Sequence, residues 1–383
     1  MKNFRNIWKH SMMVGLAAIT LASGSSMIRI DNVQAKAIPQ IFDLESHRGG
    51  RDARPENTLV SFAYALELGV TTLEMDMQMT KDGHIVISHN PYMNHNLAKD
   101  ANGTYVKNGM YDIRTMTLAQ VKQFDVGTMN PEAGDYYAGH GKTQLSVPGT
   151  KMPTLEEVFE LVNDYGNDKV LFNIETKSYP DPAFPEAKNS PDPAAFVAKF
   201  YEIVKKYHME ERVMLQSFDW RTLQEMKKLD PNITRVALTC EQPTWGRDSV
   251  CRQVGEPGAS PWMAGLDIDV YKGDYIKAAK AIGADVVSPY WEELSNEMVS
   301  EAHELGMKVV PWTVNNPDKM NMLIDMGVDG IITDKPWVLR ELLIKRGIAV
   351  AEPTININSP YHTGIGIAGV ETEKLCKGGD SAE

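Results

Sequence analysis

The chain has 383 residues, 43% of them apolar, and its 39 basic against 51 acidic residues give a formal net charge of −12. That is enough apolar material for one large core or two ordinary ones, and so acidic a balance argues against a nucleic-acid partner. An acidic protein can still take an anionic substrate, provided that its site concentrates Arg, Lys or a bound cation.

In chain order, the first element does not belong to the fold. Lys2, Arg5 and Lys9 precede the apolar stretch Met12 to Ala22, and Ala35-Lys36-Ala37 offers small residues for cleavage, so residues 1–37 read as a secretory signal peptide. An ordinary N-terminal helix is the alternative. The stretch is about half of the ~20 apolar residues that a bilayer span needs. No later segment reaches that length, so the mature chain is expected to carry no integral membrane segment. Removal of residues 1–37 takes away five basic residues and one acidic residue, which makes the remainder still more acidic. The expected location is secreted.

From Phe42 to about Arg346, short β-rich runs alternate with amphipathic segments, as in repeated β-α units around a parallel sheet. The runs are Phe42–His47, Thr72–Met77, Val170–Thr176, Arg212–Ser217, Thr234–Thr239, Asp285–Pro289, Lys308–Val314 and Gly330–Thr333. The 3.6-residue period predicts helices over Thr58–Leu68, Pro193–Tyr207, Trp220–Leu229, Ser295–Leu305 and Asp318–Met326. Gly306 and Gly327 close the last two. Eight such strands favour an α/β fold of the closed TIM (β/α)8 type over an open doubly wound sheet. The barrel is expected over residues 38–350, with Gly265–Val270 as an accessory ninth strand. Residues from about 90 to 169 are rich in Gly, Asn, Tyr and Met and too long for a plain loop, which predicts an inserted subdomain after the second strand. A helix over Thr154–Val162 leads back to the repeat. Residues 351–383 lack periodicity and form a C-terminal tail. Cys240 and Cys251 are near enough in sequence to close a small loop in an oxidising compartment, and both the disulfide and the free thiols remain open.

The second strand reads Leu73-Glu74-Met75-Asp76-Met77, so both carboxylates share one face. In the third, Asn173, Glu175 and Lys177 share a face. Acidic residues in a strand buried on both sides need compensation. Glu74, Asp76 and Glu175 therefore point to a divalent cation held by oxygen donors, Ca²⁺ first and Mg²⁺ second. Internal salt bridges to Lys177 and an Arg are the alternative. His47 ends the first strand and His89 ends the run His84 to Ser88, and both fall where a barrel keeps its catalytic groups. Two imidazoles beside a metal-bound phosphodiester supply one proton acceptor and one donor. Arg48, followed by two glycines that let the backbone approach a ligand, can fork onto phosphate oxygens.

The stretches His47-Arg48-Gly49, Pro55-Glu56-Asn57-Thr58, Glu74-x-Asp76, Thr80-x-Asp82-Gly83 and His89 resemble the N-terminal signature of glycerophosphodiester phosphodiesterases. The resemblance continues in Pro153-Thr154-Leu155, Asn173 to Lys177, Gln216-Ser217-Phe218, Trp312 to Asn315 and Gly330 to Pro336, and so spans about residues 42–345. It implies a TIM barrel with an insert and a metal-dependent hydrolysis of glycerophosphodiesters to sn-glycerol 3-phosphate and an alcohol. By position, Glu74, Asp76 and Glu175 would be the metal ligands and His47 and His89 the acid–base pair. Arg48 and Lys177 would hold the phosphate, and Trp312 and Phe218 would line the glycerol side. The signal peptide and long insert are most similar to the periplasmic branch of the family. One departure is the charged linker Gly50-Arg51-Asp52-Ala53-Arg54, which bears on selectivity.

Some positions have two readings. Asn57 with Thr58 can simply cap a helix, and Trp312 can be core packing. The order of the histidine roles stays open, as does water or a glycerol hydroxyl as the nucleophile. A phosphodiesterase of lysophospholipids or phosphoinositides is one rival, and it would need an apolar rim that the insert sequence lacks. A barrel kept only as a binding scaffold is another, although every acidic and histidine position is present.

Overall fold

A strand buried on both faces must be covered on both, and Thr72–Met79 is buried along all but its last residue. The computed structural model describes residues 41–364. The strands are β1 (Asp43–Ser46), β2 (Thr72–Met79), β3 (Ile85–Ile87), β4 (Leu171–Thr176), β5 (Val213–Ser217), β6 (Thr234–Thr239), β7 (Val286–Pro289), β8 (Lys308–Val309) and β9 (Gly330–Thr333). The helices are α1 (Leu59–Leu68), α2 (Leu118–Val121), α3 (Asp135–His140), α4 (Leu155–Asp164), α5 (Pro193–Lys206), α6 (Trp220–Leu229), α7 (Tyr275–Ile282), α8 (Asn296–Glu304), α9 (Pro317–Met326) and α10 (Pro336–Lys345).

Eight strands pair in the order β8-β7-β6-β5-β4-β2-β1-β9, all parallel, while β3 pairs antiparallel outside that path with β2. The ring closes by backbone hydrogen bonds between the segment after β8 and β9: Asp329 N to Val309 O at 2.9 Å, Ile332 N to Pro311 O at 3.0 Å and Val314 N to Ile332 O at 3.0 Å. The fold is the expected TIM barrel. Regular β8 stops earlier than the sequence run Lys308–Val314 because Pro311 has no N–H to donate, yet pairing resumes at Trp312, whose N–H donates to Pro289 O at 3.2 Å.

Local signals set the helix ends. Thr58 caps α1 by accepting from Ser61 N at 3.2 Å, and Gly69, with φ 84°, terminates it. Thr154 and Glu157 form the corresponding box on α4, and Asn316 caps α9. The expected accessory strand over Gly265–Val270 is instead a 3₁₀ turn, Ile268–Tyr271. Asp267 accepts from Asp269 N at 2.9 Å, which holds the backbone in a turn, and Val270 is 77% exposed.

Between β3 and α4 the chain builds a small core of its own, in which Met93, Ala98, Ile113, Val121, Phe124 and Met152 pack with Val86 of β3. After α10 the tail is tied down as far as Thr363. Thr354 N donates to Leu66 O at 2.9 Å, and the fully buried Glu67 accepts from Tyr165 Oη at 2.8 Å and from Thr363 N at 2.9 Å. Cys240 is a buried thiol, so no disulfide joins it to Cys251, although Cys251 N donates to Cys240 O at 2.9 Å. Among the described residues no helix is long and apolar enough to cross a membrane. The signal-peptide reading of residues 1–37, Cys376 and the end of the tail lie outside the described residues.

Candidate active site

The parallel register aligns the carboxylates. Asp76 of β2 lies opposite Glu175 of β4, and Glu74 lies opposite Asn173. All three acids are buried, and one oxygen from each falls within 4.8 Å of the others. Glu74 accepts from the Arg48 backbone N–H at 2.8 Å and from Gln216 Nε2 at 2.7 Å. Asp76 accepts from Asn57 Nδ2 at 2.9 Å, with Arg48 Nε at 3.3 Å and Lys177 Nζ at 3.4 Å. Glu175 pairs with Lys177 Nζ at 2.8 Å. Burial pushes Glu74 well up, and Asp76 beside it adds to the shift. Burial likewise raises Glu175 to about 7, despite Lys177. Asp76 goes the other way: burial opposes its charge, but Lys177 and Arg48 hold it well below the usual carboxylate range. Lys177 and Arg48 thus leave part of the cluster's charge unbalanced. An all-oxygen donor set with surplus negative charge fits a hard divalent cation.

The chain turns sharply after β1. His47–Gly49 form a 3₁₀ turn in which Arg48 has φ 51°, an uncommon backbone state for a side-chain-bearing residue. Gly49, at φ 81°, lies so close to α1 that a Cβ would stand 2.3 Å from Ser61 Oγ. This turn sends the Arg48 N–H to Glu74 and its guanidinium to Glu56, which both Nη1 contacts reach at 3.2 Å. Arg48 Nε, buried and 3.3 Å from Asp76, makes no hydrogen bond of its own, which leaves its N–H for an incoming anion.

His47 Nδ1 lies 2.5 Å from Asp334 Oδ1. That carboxylate also accepts from Arg51 Nε at 2.6 Å, Arg51 Nη2 at 3.1 Å and Asn315 Nδ2 at 2.7 Å. Burial opposes its charge, but Arg51 and His47 keep it ionised. An ionised carboxylate only accepts, so Nδ1 carries the proton and Nε2 the lone pair. Burial lowers His47 to about 4; Asp334 opposes that shift, while Arg48 and Arg51 add to it. His89 arrives by another route. Gly83, at φ 80°, turns the chain into β3, which runs back along β2 so that Ser88 N meets Asp76 O at 2.8 Å. His89 therefore follows a hairpin strand outside the ring. Its Nδ1 meets Asn90 Oδ1 at 2.8 Å, and burial with Arg48 and Lys177 holds its pKa well down.

His47, Arg48, Glu74, Asp76, His89, Glu175 and Lys177 thus line one cavity of about 150 Å³, which Phe218 and Trp312 border. Trp312 is only partly buried, its Nε1 donates to Ser288 O at 3.0 Å, and its ring meets Phe218 edge-on at 5.4 Å, so it serves both packing and the cavity wall. The capping role considered for Asn57 falls to Thr58 alone, and Asn57 turns its amide to Asp76. Residue-by-residue reading missed Arg51 and Asp334. The charged linker and the Gly330 to Pro336 motif contained them, but only the fold puts them together. The insert adds Tyr136, bonded through its hydroxyl to Glu56, and His140, bonded to Asp52.

Comparison with known proteins identifies the family. Residues 47–338 match the glycerophosphoryl diester phosphodiesterase family. A glycerophosphodiester phosphodiesterase of Caldanaerobacter subterraneus is 31% identical over 79% of this chain and 98% of its own length. One from Bacillus subtilis is 30% identical over 79% and 86%. A crystal structure from Silicibacter pomeroyi, described as a glycerophosphoryl diester phosphodiesterase, superimposes with a TM-score of 0.69 at 31% identity, over 81% of this chain and 96% of that one. An Oleispira antarctica phosphodiesterase solved with the product sn-glycerol-3-phosphate shares the fold at a TM-score of 0.55 and 21% identity, over 78% and 96%. The chain belongs to the glycerophosphoryl diester phosphodiesterase family, and it is a phosphoric diester hydrolase on a TIM barrel.

Proposed function

We propose that this enzyme hydrolyses glycerophosphodiesters to sn-glycerol 3-phosphate and an alcohol, with a divalent cation held by Glu74, Asp76 and Glu175 and with His47 and His89 as its acid–base pair. The observation that carries the reading is the meeting of two Nδ1-anchored imidazoles and three buried carboxylates in one cavity. The cation, Ca²⁺ before Mg²⁺, supplies charge neutralisation at the phosphoryl oxygens. Arg48 and Lys177 bind the same phosphate and orient it. Asp334 positions His47 and fixes its tautomer, so that Nε2 is free to take a proton. Burial, and after it the Arg48 and Lys177 charges, hold the His89 pKa down, and a bound phosphate anion offsets the second of these causes. One imidazole takes a proton from the nucleophile, and the other gives one to the departing alkoxide.

The polar cavity suits glycerol, because Arg51, Gln216 and Thr313 offer hydrogen-bond partners for its hydroxyls while Phe218 and Trp312 cover its carbon chain. Purified enzyme incubated with glycerophosphocholine should release glycerol 3-phosphate with added Ca²⁺ or Mg²⁺ and lose that activity with chelator. No product in the presence of either ion would overturn the reading. Export to the periplasm is part of the same proposal. It is checked by N-terminal sequencing of the protein recovered from that compartment, where an intact Met1 would oppose it.

A further inference from the structure

A second cavity, of about 240 Å³, opens beside the first and shares His89, Glu175, Lys177, Phe218 and Trp312 with it. Its remaining walls are mostly aromatic: Tyr179, Trp245 and Trp262 join Phe218 and Trp312, with Ser178, Cys240 and Ser249 between them. The rings are held by one another. Trp245 stands edge-on to Tyr290 at 4.5 Å, and Tyr290 packs on Trp312 at 5.8 Å. On the other side Trp262 packs on Tyr179 at 6.2 Å and on Phe184 at 6.1 Å.

Part of the hydrogen-bonding capacity in this cavity is spent, and Trp262 Nε1, a donor buried without a partner, cannot serve an ammonium. Ser178 Oγ donates to Asp219 Oδ2 at 2.8 Å, and Trp312 Nε1 donates to Ser288 O. Lys177, the only Lys or Arg among the described lining residues, is paired with Glu175 and Asp76 at the neck between the two cavities. A group entering here therefore sheds its water and gains few donors or acceptors in return. A hydroxyl or a primary ammonium loses free energy by that exchange. A trimethylammonium has no N–H to leave unpaired, and it is attracted to aromatic faces by their quadrupoles.

We propose that this aromatic cavity is the head-group site and that it selects choline, so that glycerophosphocholine is the preferred diester. The proposal rests on the phosphodiesterase reading above: with phosphate at the neck and glycerol in the polar cavity, the departing alcohol occupies the aromatic one.

The test has two arms. In the first, kcat/KM is measured for glycerophosphocholine, glycerophosphoethanolamine and lysophosphatidylcholine. The choline diester should lead the ethanolamine diester by about tenfold, and Trp245→Leu should reduce that ratio by about tenfold, whereas Trp245→Phe should keep most of it. Trp245 is 51% exposed, so the substitution does not threaten the core. In the second arm, choline alone is titrated against the tryptophan fluorescence of the intact enzyme, where saturable quenching is expected in the wild type and weakened in Trp245→Leu. Hydrolysis of both small diesters at equal rates, with no choline quenching, overturns the choline site and leaves the phosphodiesterase intact. Preference for lysophosphatidylcholine overturns it too, because the cavity would then hold an acyl chain. Choline quenching without hydrolysis of any diester supports the site and overturns the reading of the reaction.

Discussion

The two halves of the barrel ring share one backbone plan and carry opposite chemistry. From β9 through β1 and β2 to β4, the mouth is ionic, with Asp334, His47, Arg48, Glu74, Asp76, Glu175 and Lys177. The lumen below them continues in polar groups, as Asn173 Nδ2 donates to Glu45 Oε2 at 2.7 Å and to Gln216 Oε1 at 3.1 Å. From β6 to β8, the lumen is apolar, with Val236, Val286 and Val310 packed against Ile332 of β9, and the mouth above is aromatic. Parallel strands alternate their side chains in the same way everywhere, so the contrast lies wholly in residue type. It teaches that the bond-breaking groups and the groups that select the substrate are separated around the ring. Substitutions in the ionic half should therefore act on kcat, and those in the aromatic half on KM.

The strongest attempt to break that division is His47→Ala or His89→Ala. Each should lower kcat by about 10²–10⁴-fold with little change in thermal midpoint. Near wild-type turnover would mean that the chemistry lies elsewhere. Asp334→Asn comes next, with an expected loss of about 10–100-fold in kcat, because the amide can present an N–H to Nδ1 and release the tautomer. A kcat and pH profile matching wild type would reduce Asp334 to a partner for Arg51. In the aromatic half, Phe218→Leu should raise KM by about three- to tenfold and leave kcat within about twofold. An equal loss in kcat would erase the distinction between the halves.

The smallest effect is on stability. The His47 pKa falls from 6.5 to about 4 on folding, chiefly through burial. Between those values the unfolded chain binds the proton and the folded chain does not, so stability rises with pH across that window and is lost as the pH drops through it. Thermal midpoints of cation-free wild type should fall from about pH 6.5 towards pH 4, and His47→Asn should flatten that part of the slope.

How much of this could be read from the residues differs by element. Strands such as Thr72–Met77 and Thr234–Thr239 are legible as short runs between helical segments, and an acid inside a run that is buried on both faces stands out by its cost. The accessory strand over Gly265–Val270 was misread because its Val and Ile look strand-like, whereas Asp267 bonds to the local backbone and decides for a turn. His89 was legible as a residue but not as a position. It reaches the site by a hairpin along β2, and no periodicity reports that the chain folds back outside the ring. Asp334 and His47 are separated by 287 residues, and their contact exists only because β9 closes onto β1.

By itself the sequence determined the barrel, the three carboxylates, the two histidines and the family signature, since each depends on local periodicity or on a motif of neighbouring residues. The tertiary structure alone decided that Arg51 and Asp334 hold His47, that Asn57 serves Asp76, and that rings from the segments after β4, β5, β6 and β8 wall a second cavity. The physical reason is that burial, hydrogen bonding and ring packing are set by distances between segments, which a linear order of residues does not contain until the ring has closed.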